Sequence, residues 1–450
     1  MNQNSKTTSV KKDGKTTLMP KLRFPEFRDA EGWESKSMSE VYAFKGHNSL
    51  SRDKLNYERG SVKNIHYGDI HTKFSTHFDI AKETVPYINQ SESLKAFEAE
   101  NFCVEGDIIF ADASEDLEDI GKAIEIVSLN GERVLSGLHT ILARQTETDL
   151  VRGFGGHLFK SKRVRTLIQK ESQGSKVLGL SGGRLAKIEI PFPSSPREQQ
   201  KIAECLSSVD EVIAAEARKL DALKSHKKGL MQELFPREGE TLPKLRFPEF
   251  RDAAGWEESR LADICSKITQ GGTPDTSEPK FWGGSINWMT PAEMGKTESP
   301  FIDATTRTIT ESGLDNCSSY LLPIYSVILS VRAPIGSLAI NTTPMAINQG
   351  CKGLITGNTL SFSFLYYSLI NSKARLIDLG AGNTFKELSG SALKSYEIGL
   401  PSPPEQQKIA ACLSSVDEVI AAQAQKLEAL KTHKKGLMQQ LFPSPEEVEV

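Results

Sequence analysis

Pro196 to Pro236 reads PREQQKIAECLSSVDEVIAAEARKLDALKSHKKGLMQELFP, and this 41-residue stretch returns from Pro403 to Pro443 with seven differences. In the first copy Ile202, Leu206, Val209, Ile213, Leu220 and Leu223 advance by steps of three, four or their sums; in the second, Ile409, Leu413, Val416, Ile420, Leu427 and Leu430 do the same. That spacing predicts two long helices, each with a heptad-like apolar seam. Glu216 and Lys227 interrupt the first seam, Gly229 weakens its last turns by roughly 1 kcal/mol against Ala, and Pro236 ends it. From Glu198 to Leu234 such a helix runs about 55 Å. One helix cannot bury its own stripe, and the chain carries two, so pairing with each other is the economical arrangement. Docking of each helix on its own neighbouring domain is the alternative. The cluster Lys224, His226, Lys227, Lys228 and its copy (Lys431, His433, Lys434, Lys435) sits where cations complement a helix C-terminus, and phosphate contact is the competing use.

A second repeat precedes each unlike segment. PKLRFPEFRDAEGWE, from Pro20 to Glu34, returns from Pro243 to Glu257 with one change, Glu31 to Ala254. The segments that follow, 35–195 and 258–402, look mutually unlike, yet both contain short β-like runs, then a helical stretch, then similar closures. GSKVLGLSGGRLAKIEIPFP and GNTFKELSGSALKSYEIGLP align Leu180 with Leu388 and Ser181 with Ser389. They read as two copies of one domain with altered contact surfaces. The expected organisation is a polar arm (1–19), a domain (20–195), a helix (196–236), a second domain (237–402), a second helix (403–443) and an acidic tail (444–450).

Composition narrows the class. The chain has 450 residues, 38% hydrophobic and 25% charged, which fits soluble globular domains rather than disorder. No apolar run approaches the roughly 18 residues of a bilayer span, and the N-terminal arm lacks the apolar stretch of a secretory signal. Six cysteines show neither a C-x-x-C pair nor histidines at ligand spacing, so they read as small buried hydrophobes in a reducing cytoplasm. The formal net charge of −3 offers no electrostatic pull on nucleic acid. Apportioned, however, that deficit equals the charge of the tail SPEEVEV, and every other segment lies between −1 and +2.

Catalytic motifs fail on inspection. Gly179-Leu180-Ser181-Gly182-Gly183 matches a nucleophile elbow, but no long buried strand precedes it, and the matching Glu387-Leu388-Ser389-Gly390-Ser391 lacks the flanking glycines. Asp275 with Glu278 and Lys280 imitates a nuclease triad compressed into a proline loop. No phosphate-binding loop, H-E-x-x-H or adenine-methylation motif is present. What remains suits binding: His66, Tyr67, His71 and Lys73, the turn carrying Ser136 and His139, and Lys176 and Arg184 in the first segment. The second offers Thr273, Trp288, Arg332, Asn348, Gln349, Lys352, Thr384 and Lys386. Polar side chains beside glycines on loops can read base edges, Arg or Lys pairing with guanine and Asn or Gln with adenine. Each is equally an ordinary loop residue, and Trp288 reads better as core than as a stacking platform.

The duplicated EQQKIA(E/A)CLSSVDEVIAA…KLDALK(S/T)HKKGLMQ(E/Q)LFP resembles the helical spacers of type I restriction–modification specificity subunits. The PKLRFPEF…GW lead-ins are similar to the stretch before a target-recognition domain in that family, GDIIFADASED…SGLHT (106–140) and ITESGL…VRAPIGSLAI…NQGCKGL (309–354) are similar to two classes of such domains, and the resemblance covers 20–443. It implies an α+β fold: two target-recognition domains of mixed β-sheet and short helices, separated by two long helices that pair as an antiparallel coiled coil. It implies a chain without catalytic residues or metal, whose domains each read one half of a bipartite asymmetric site in double-stranded DNA. Two modification subunits with S-adenosylmethionine would methylate adenine N6, and two restriction subunits would use ATP and Mg2+. A scaffold with two protein-binding domains, or a hydrolase or nuclease built on Ser181 or Asp275, would be the competing classes. Near-neutral modules imply weak DNA affinity for the chain alone, with basic partners supplying most phosphate contact.

Overall fold

The computed structural model describes residues 10–12, 15–95, 97–147, 149–294, 299–332, 334–381 and 387–444. The chain divides into two compact units, 1–214 with 429–450, and 215–428. The boundary between them therefore runs through both long helices. Among the described residues no helix is long and apolar enough to cross a membrane.

In unit 1 the central sheet has the order β1-β7-β4-β5-β3, formed by β1 (Tyr42–Lys45), β3 (His77–Asp79), β4 (Ile108–Ala111), β5 (Ala123–Ser128) and β7 (Thr140–Gln145). β2 (Lys63–Ile65) and β6 (Val134–Ser136) pair in parallel in a second, smaller sheet. All four residues of β4 are buried because the strand is covered on both faces. Ile108 and Phe110 enter one apolar cluster with Trp33, Phe154 and Phe159, while Ile109 and Ala111 enter another with Phe78, Ile124 and Leu142. The period-two alternation of a strand divides them.

Unit 2 repeats this plan from unlike residues. β8 (Cys265–Gln270), β10 (Phe301–Ile302), β11 (Val327–Ser330), β12 (Leu338–Asn341) and β14 (Cys351–Thr356) form a sheet of order β8-β14-β11-β12-β10. β9 (Trp282–Met289) and β13 (Met345–Ile347) pair in parallel in the smaller sheet, as β2 and β6 do. The outer strands β3 and β10 are each the parallel member of an otherwise antiparallel sheet.

The two sequence repeats turn out to be halves of one device. Arg23 donates Nε and Nη2 to the two carboxylate oxygens of Glu198, both at 2.6 Å, and caps the carbonyls of Ala30 and Glu31 at 2.8 and 2.9 Å. Trp33 adds its indole N–H to the same carboxylate at 3.3 Å. In unit 2 Arg246, Trp256 and Glu405 copy every one of these bonds. The next residue is also spent: Gln199 donates to the carbonyls of Asp149 and Pro193 and accepts from the Val151 N–H. Gln406 does the same with Thr359, Pro401 and Ser361.

The helices α1 (Pro196–Leu234) and α2 (Pro403–Leu441) are each 39 residues long. Their first turns lie in the domain cores. Ile202 and Leu206 join the cluster around Trp33 and Phe154, and Ile409 and Leu413 join the cluster around Trp256 and Phe364. These four residues, expected in a helix–helix seam, are thus core residues of the units as well. The cores also take the end of the other helix. Phe442 packs edge-on against Trp33 at 5.7 Å between ring centroids, and Phe235 packs against Trp256 at 5.8 Å. Leu220, Ile420 and Leu427 are buried, while Val209, Ile213, Leu223, Val416 and Leu430 are half-buried.

Polar residues set the register. Within unit 2, Lys426 pairs with Glu216 and Lys227 Nζ lies 2.6 Å from Asp417, so one index rises as the other falls and the helices run antiparallel. Within unit 1, Lys434 pairs with Asp210, the repeat image of the Lys227–Asp417 pair. The seam-breaking Glu216 and Lys227 are therefore the ion-pair partners, and Lys227 and Lys434 are engaged rather than solvated.

Beside each pair the units differ. Tyr367 donates its hydroxyl to Asp417 at 2.7 Å. The matching position holds His157, whose Nε2 lies 3.3 Å from Ser207 Oγ and whose ring meets His77 at 4.4 Å. Burial, then the neighbouring His77, Lys434 and Lys160, push His157 down to about 2 from 6.5. Stability that depends on its neutral form is present above pH 6.5 and lost as pH falls. Glu125, nearby, is raised by burial to about 7 from 4.5, so its contribution is full at low pH and lost as pH rises through 7.

Two stability measurements follow from these contacts. Glu198→Ala leaves Arg23 buried without its counter-charge and should cost unit 1 about 3–5 kcal/mol in hydrogen-exchange protection; Lys408→Ala, which removes an exposed pair with Glu249, should leave unit 2 protection at the wild-type level. His157→Tyr, which installs the residue unit 2 uses, should flatten the loss of unit 1 protection as pH is lowered from 6.5 to 5; an unchanged slope would assign that loss to other groups.

Candidate nucleic-acid interface

The fold gathers the expected binding residues of unit 1 at the ends of β2, β4 and β6. His66 begins the short helix Tyr67–Thr72 directly after β2, and its Nδ1 accepts the Gly68 N–H at 3.2 Å. Tyr67 sits between three imidazoles, with centroid distances of 4.7 Å to His66, 5.8 Å to His71 and 5.2 Å to His139. His139 comes from the turn between β6 and β7, has a φ of 55°, and places Nδ1 3.1 Å from Asp112 Oδ1 at the end of β4. The turn has no room for a side chain at Gly137, where a Cβ would lie 2.5 Å from the Ile65 carbonyl. The Leu180 N–H donates to the Asp112 carbonyl at 2.8 Å, which brings the closing segment to the same strand end. Lys176 is exposed in the turn just before it.

The charges next to these rings are organised by one buried carboxylate. Asp69 is fully buried, and its Oδ1 receives Arg52 Nη2 at 2.8 Å and Lys73 Nζ at 3.0 Å. That carboxylate holds Arg52 and Lys73 above their ordinary pKa ranges. Burial, with the Arg52 cation second, pushes His66 down to about 4. The imidazole is therefore a neutral cap near pH 7.

Unit 2 presents different chemistry at the matching strand ends. Gly271 packs under the β13–β14 turn, where a Cβ would lie 1.9 Å from the Asn348 carbonyl, and Gly272 packs against the Ser318 and Ser319 backbone. Asn348 Oδ1 accepts the Gly350 N–H at 2.8 Å, leaving Gln349 exposed at the tip. Arg332 is exposed and donates Nε to Glu387 at 3.0 Å. Lys352 and Thr273 are half-buried, and burial lowers the Lys352 pKa. The Arg307 guanidinium lies 3.8 Å from the centre of the Trp282 ring.

Several expected contacts are corrected by burial. Ser136 is 1% exposed and bonds to Thr140 Oγ1, so it braces the turn and faces no ligand. Trp288 is 2% exposed and donates its indole N–H to the Gly272 carbonyl, so the core reading favoured by the sequence holds and its candidacy as a base contact falls. His66 is likewise a buried cap rather than a surface reader. Arg184 is not among them: it is half-buried, with Nη1 3.2 Å from the Glu171 carbonyl and 3.7 Å from its carboxylate. Thr384 and Lys386 lie outside the described residues. The same surfaces also hold Arg52, Tyr57, Asp69 and Asp112 in unit 1, and Trp282, Arg307 and Glu387 in unit 2, none of which the sequence singled out. Only the Asp69–Lys73 spacing of four on a helix could have signalled any of these. The elbow-like Ser181 opens a four-residue helix, and Asp275 caps its own turn through Ser277. Among the described residues no group of three His, Cys, Asp or Glu side chains could hold a metal ion.

A family model described as the type I restriction modification DNA specificity domain matches this chain twice, over residues 30–225 and 254–432. The chain belongs to that family. Over 426 residues it is 26% identical to the putative type I restriction enzyme MjaX specificity subunit of Methanocaldococcus jannaschii, covering 92% of this chain and 93% of the relative. Over 179 residues it is 38% identical to the MjaIX specificity subunit of the same organism, but that match spans only 39% of this chain and 41% of the relative. The EcoR124I/EcoR124II specificity subunit of Escherichia coli is 29% identical over 244 residues, 51% of this chain and 55% of that one. The fold agrees with the crystal structure of a type I restriction–modification S subunit from M. genitalium, with a TM-score of 0.59 at 15% identity over 95% of this chain and all of the other. A chain from a structure of the type I R-M system aligns with a TM-score of 0.55 at 20% identity, over 92% of this chain and 98% of that one.

The glycine under the turn of this specificity chain gives a direct check on the geometry. Gly271→Ala must displace the Asn348 backbone and should cost roughly 1–3 kcal/mol in unit 2 protection. Gly46→Ala, where a Cβ meets nothing within 4 Å, should leave the protection of unit 1 within about 0.5 kcal/mol.

Proposed function

We propose that this chain is the DNA-recognition subunit of a type I restriction–modification complex and carries no catalytic chemistry itself. The observation that supports this most directly is the contrast between its parts. Two domains share one strand order and one Arg–Glu–Trp anchor, yet offer unlike side chains at the same strand ends. Each domain reads one half of a bipartite, asymmetric site in double-stranded DNA, and the paired helices set the spacing between halves. About 55 Å of helix corresponds to roughly 16 base pairs at 3.4 Å per pair. Two modification subunits, holding S-adenosylmethionine, dock on the chain and methylate adenine N6. Two restriction subunits bring ATP- and Mg2+-dependent translocation and cleavage. Because the modules are near neutral, partner subunits supply most of the phosphate contact, and the chain alone binds DNA weakly.

Co-expression with the modification subunits in a methylation-free host, followed by mapping of N6-methyladenine, tests this reading. The expected result is a two-part asymmetric motif. Replacing residues 35–195 by another such domain should change one half of the motif and leave the other half and the gap intact. Inserting residues after Val209 should change the gap alone. Methylation without any sequence preference would favour a protein-binding scaffold instead.

A further inference from the structure

We propose that Arg52, braced by the buried carboxylate of Asp69, reads a guanine edge in the half-site recognised by unit 1. The inference rests on the DNA-recognition reading above and assigns a residue and a base to it. Asp69 is fully buried, and a buried carboxylate needs one counter-charge to be tolerated. It has two, Arg52 and Lys73, whose side chains are 43% and 52% exposed. One positive charge is therefore in surplus at the surface, and the carboxylate that fixes it is withdrawn from any anionic ligand. The Arg52 guanidinium lies over Gly68, where a Cβ would stand 3.4 Å from Nη2. Tyr57, itself exposed, receives Arg52 Nη1 at 3.4 Å and Lys73 Nζ at 3.3 Å. Arg52, Lys73 and Tyr57 thus form one exposed group, held in place before any ligand arrives.

The two cations suit different parts of DNA. A guanidinium held along one side keeps its planar fork in a set orientation, and guanine alone presents the paired acceptors O6 and N7 that match such a fork in the major groove. A phosphate asks only for a point charge, which Lys73 supplies. The arrangement belongs to the half-site and not to the scaffold. Glu293 follows Met289 of β9 by four residues, as Asp69 follows Ile65 of β2. Its carboxylate is used otherwise, accepting the Thr306 N–H at 2.6 Å and the Thr290 hydroxyl at 3.3 Å.

Selection from a randomised duplex pool by the chain in complex with its modification subunits decides the matter, with binding followed against salt. The wild-type complex should select a two-part motif containing a G·C pair in one half. Arg52→Ala and Arg52→Lys should both lose at least tenfold preference at that one pair, the lysine retaining the charge but not the fork, with the other half and the gap unchanged. Asp69→Asn, as a positioning variant, should relax the same pair and no other, which a merely structural carboxylate would not do. Lys73→Ala should weaken all sequences equally and lower the salt slope by about one. An unchanged motif with Arg52→Ala, whether binding weakens uniformly or not at all, overturns the assignment and leaves the DNA reading standing. No motif with the wild-type complex overturns both. Arg52 is exposed, so its variants keep the assignment falsifiable even if Asp69→Asn fails to fold.

Discussion

Everything in each unit hangs on a carboxylate buried in the first turn of a long helix. Glu198 and Glu405 are 0% and 1% exposed, in a class of residue that is almost never buried without partners. Each is tolerated because a guanidinium meets both of its oxygens and an indole N–H adds a further bond. The same arginine caps two carbonyls of the lead-in, so one ion pair fixes the lead-in, the helix start and the tryptophan at the base of the core. A buried pair of this kind is weak evidence for stability against an apolar replacement, but losing one partner is expensive. Both halves must therefore change together or not at all. The arginine, the tryptophan and the glutamate accordingly recur together in both copies of the lead-in and helix.

The helices carry a second version of the same logic. Their apolar positions alone would allow slippage by a heptad, since one leucine seam is much like another. Lys434 on Asp210 and Lys227 on Asp417 remove that freedom. Charges placed where an apolar residue would pack more simply are the residues that specify alignment. Gln199 and Gln406 act alike at the helix starts. Each satisfies three backbone groups of the adjoining loops that would otherwise be buried without partners.

Much of this was legible in the sequence, and the rest was hidden for identifiable reasons. Helix length and the buried Leu220, Ile420 and Leu427 follow from local periodicity, which a single sequence records. Strand order does not, because it depends on pairings such as Ala143 with Phe44, about a hundred residues apart. Glu198 stood in plain view within EQQ, but apolar periodicity is blind to a polar residue that is buried by pairing. Ser136 misled for the converse reason. A polar side chain beside glycine reads alike whether its turn faces solvent or closes on the core. His71, Lys73 and His139 stand out as candidates because they cluster along short stretches. Arg52 does not, because its partner, Asp69, lies seventeen residues away on a different element.

The two carboxylates that follow β2 and β9 show how such a fold can change its target without changing itself. Asp69 and Glu293 occupy corresponding places after equivalent strands, and both are buried. One gathers two cations at the surface, and the other ties down a loop backbone. Neither choice disturbs the parallel pairing of β2 with β6 or of β9 with β13, since the carboxylates lie beyond the last paired residues. Surface chemistry at the strand ends is thus decoupled from the ladder that supports it. Substitution at Arg52 alters what the surface offers at little cost to the core, whereas substitution at Glu198 removes the support itself. A recognition protein under pressure to alter its target can explore the first kind of position freely, and the near identity of the anchors beside the divergence of the loops follows from that difference in cost.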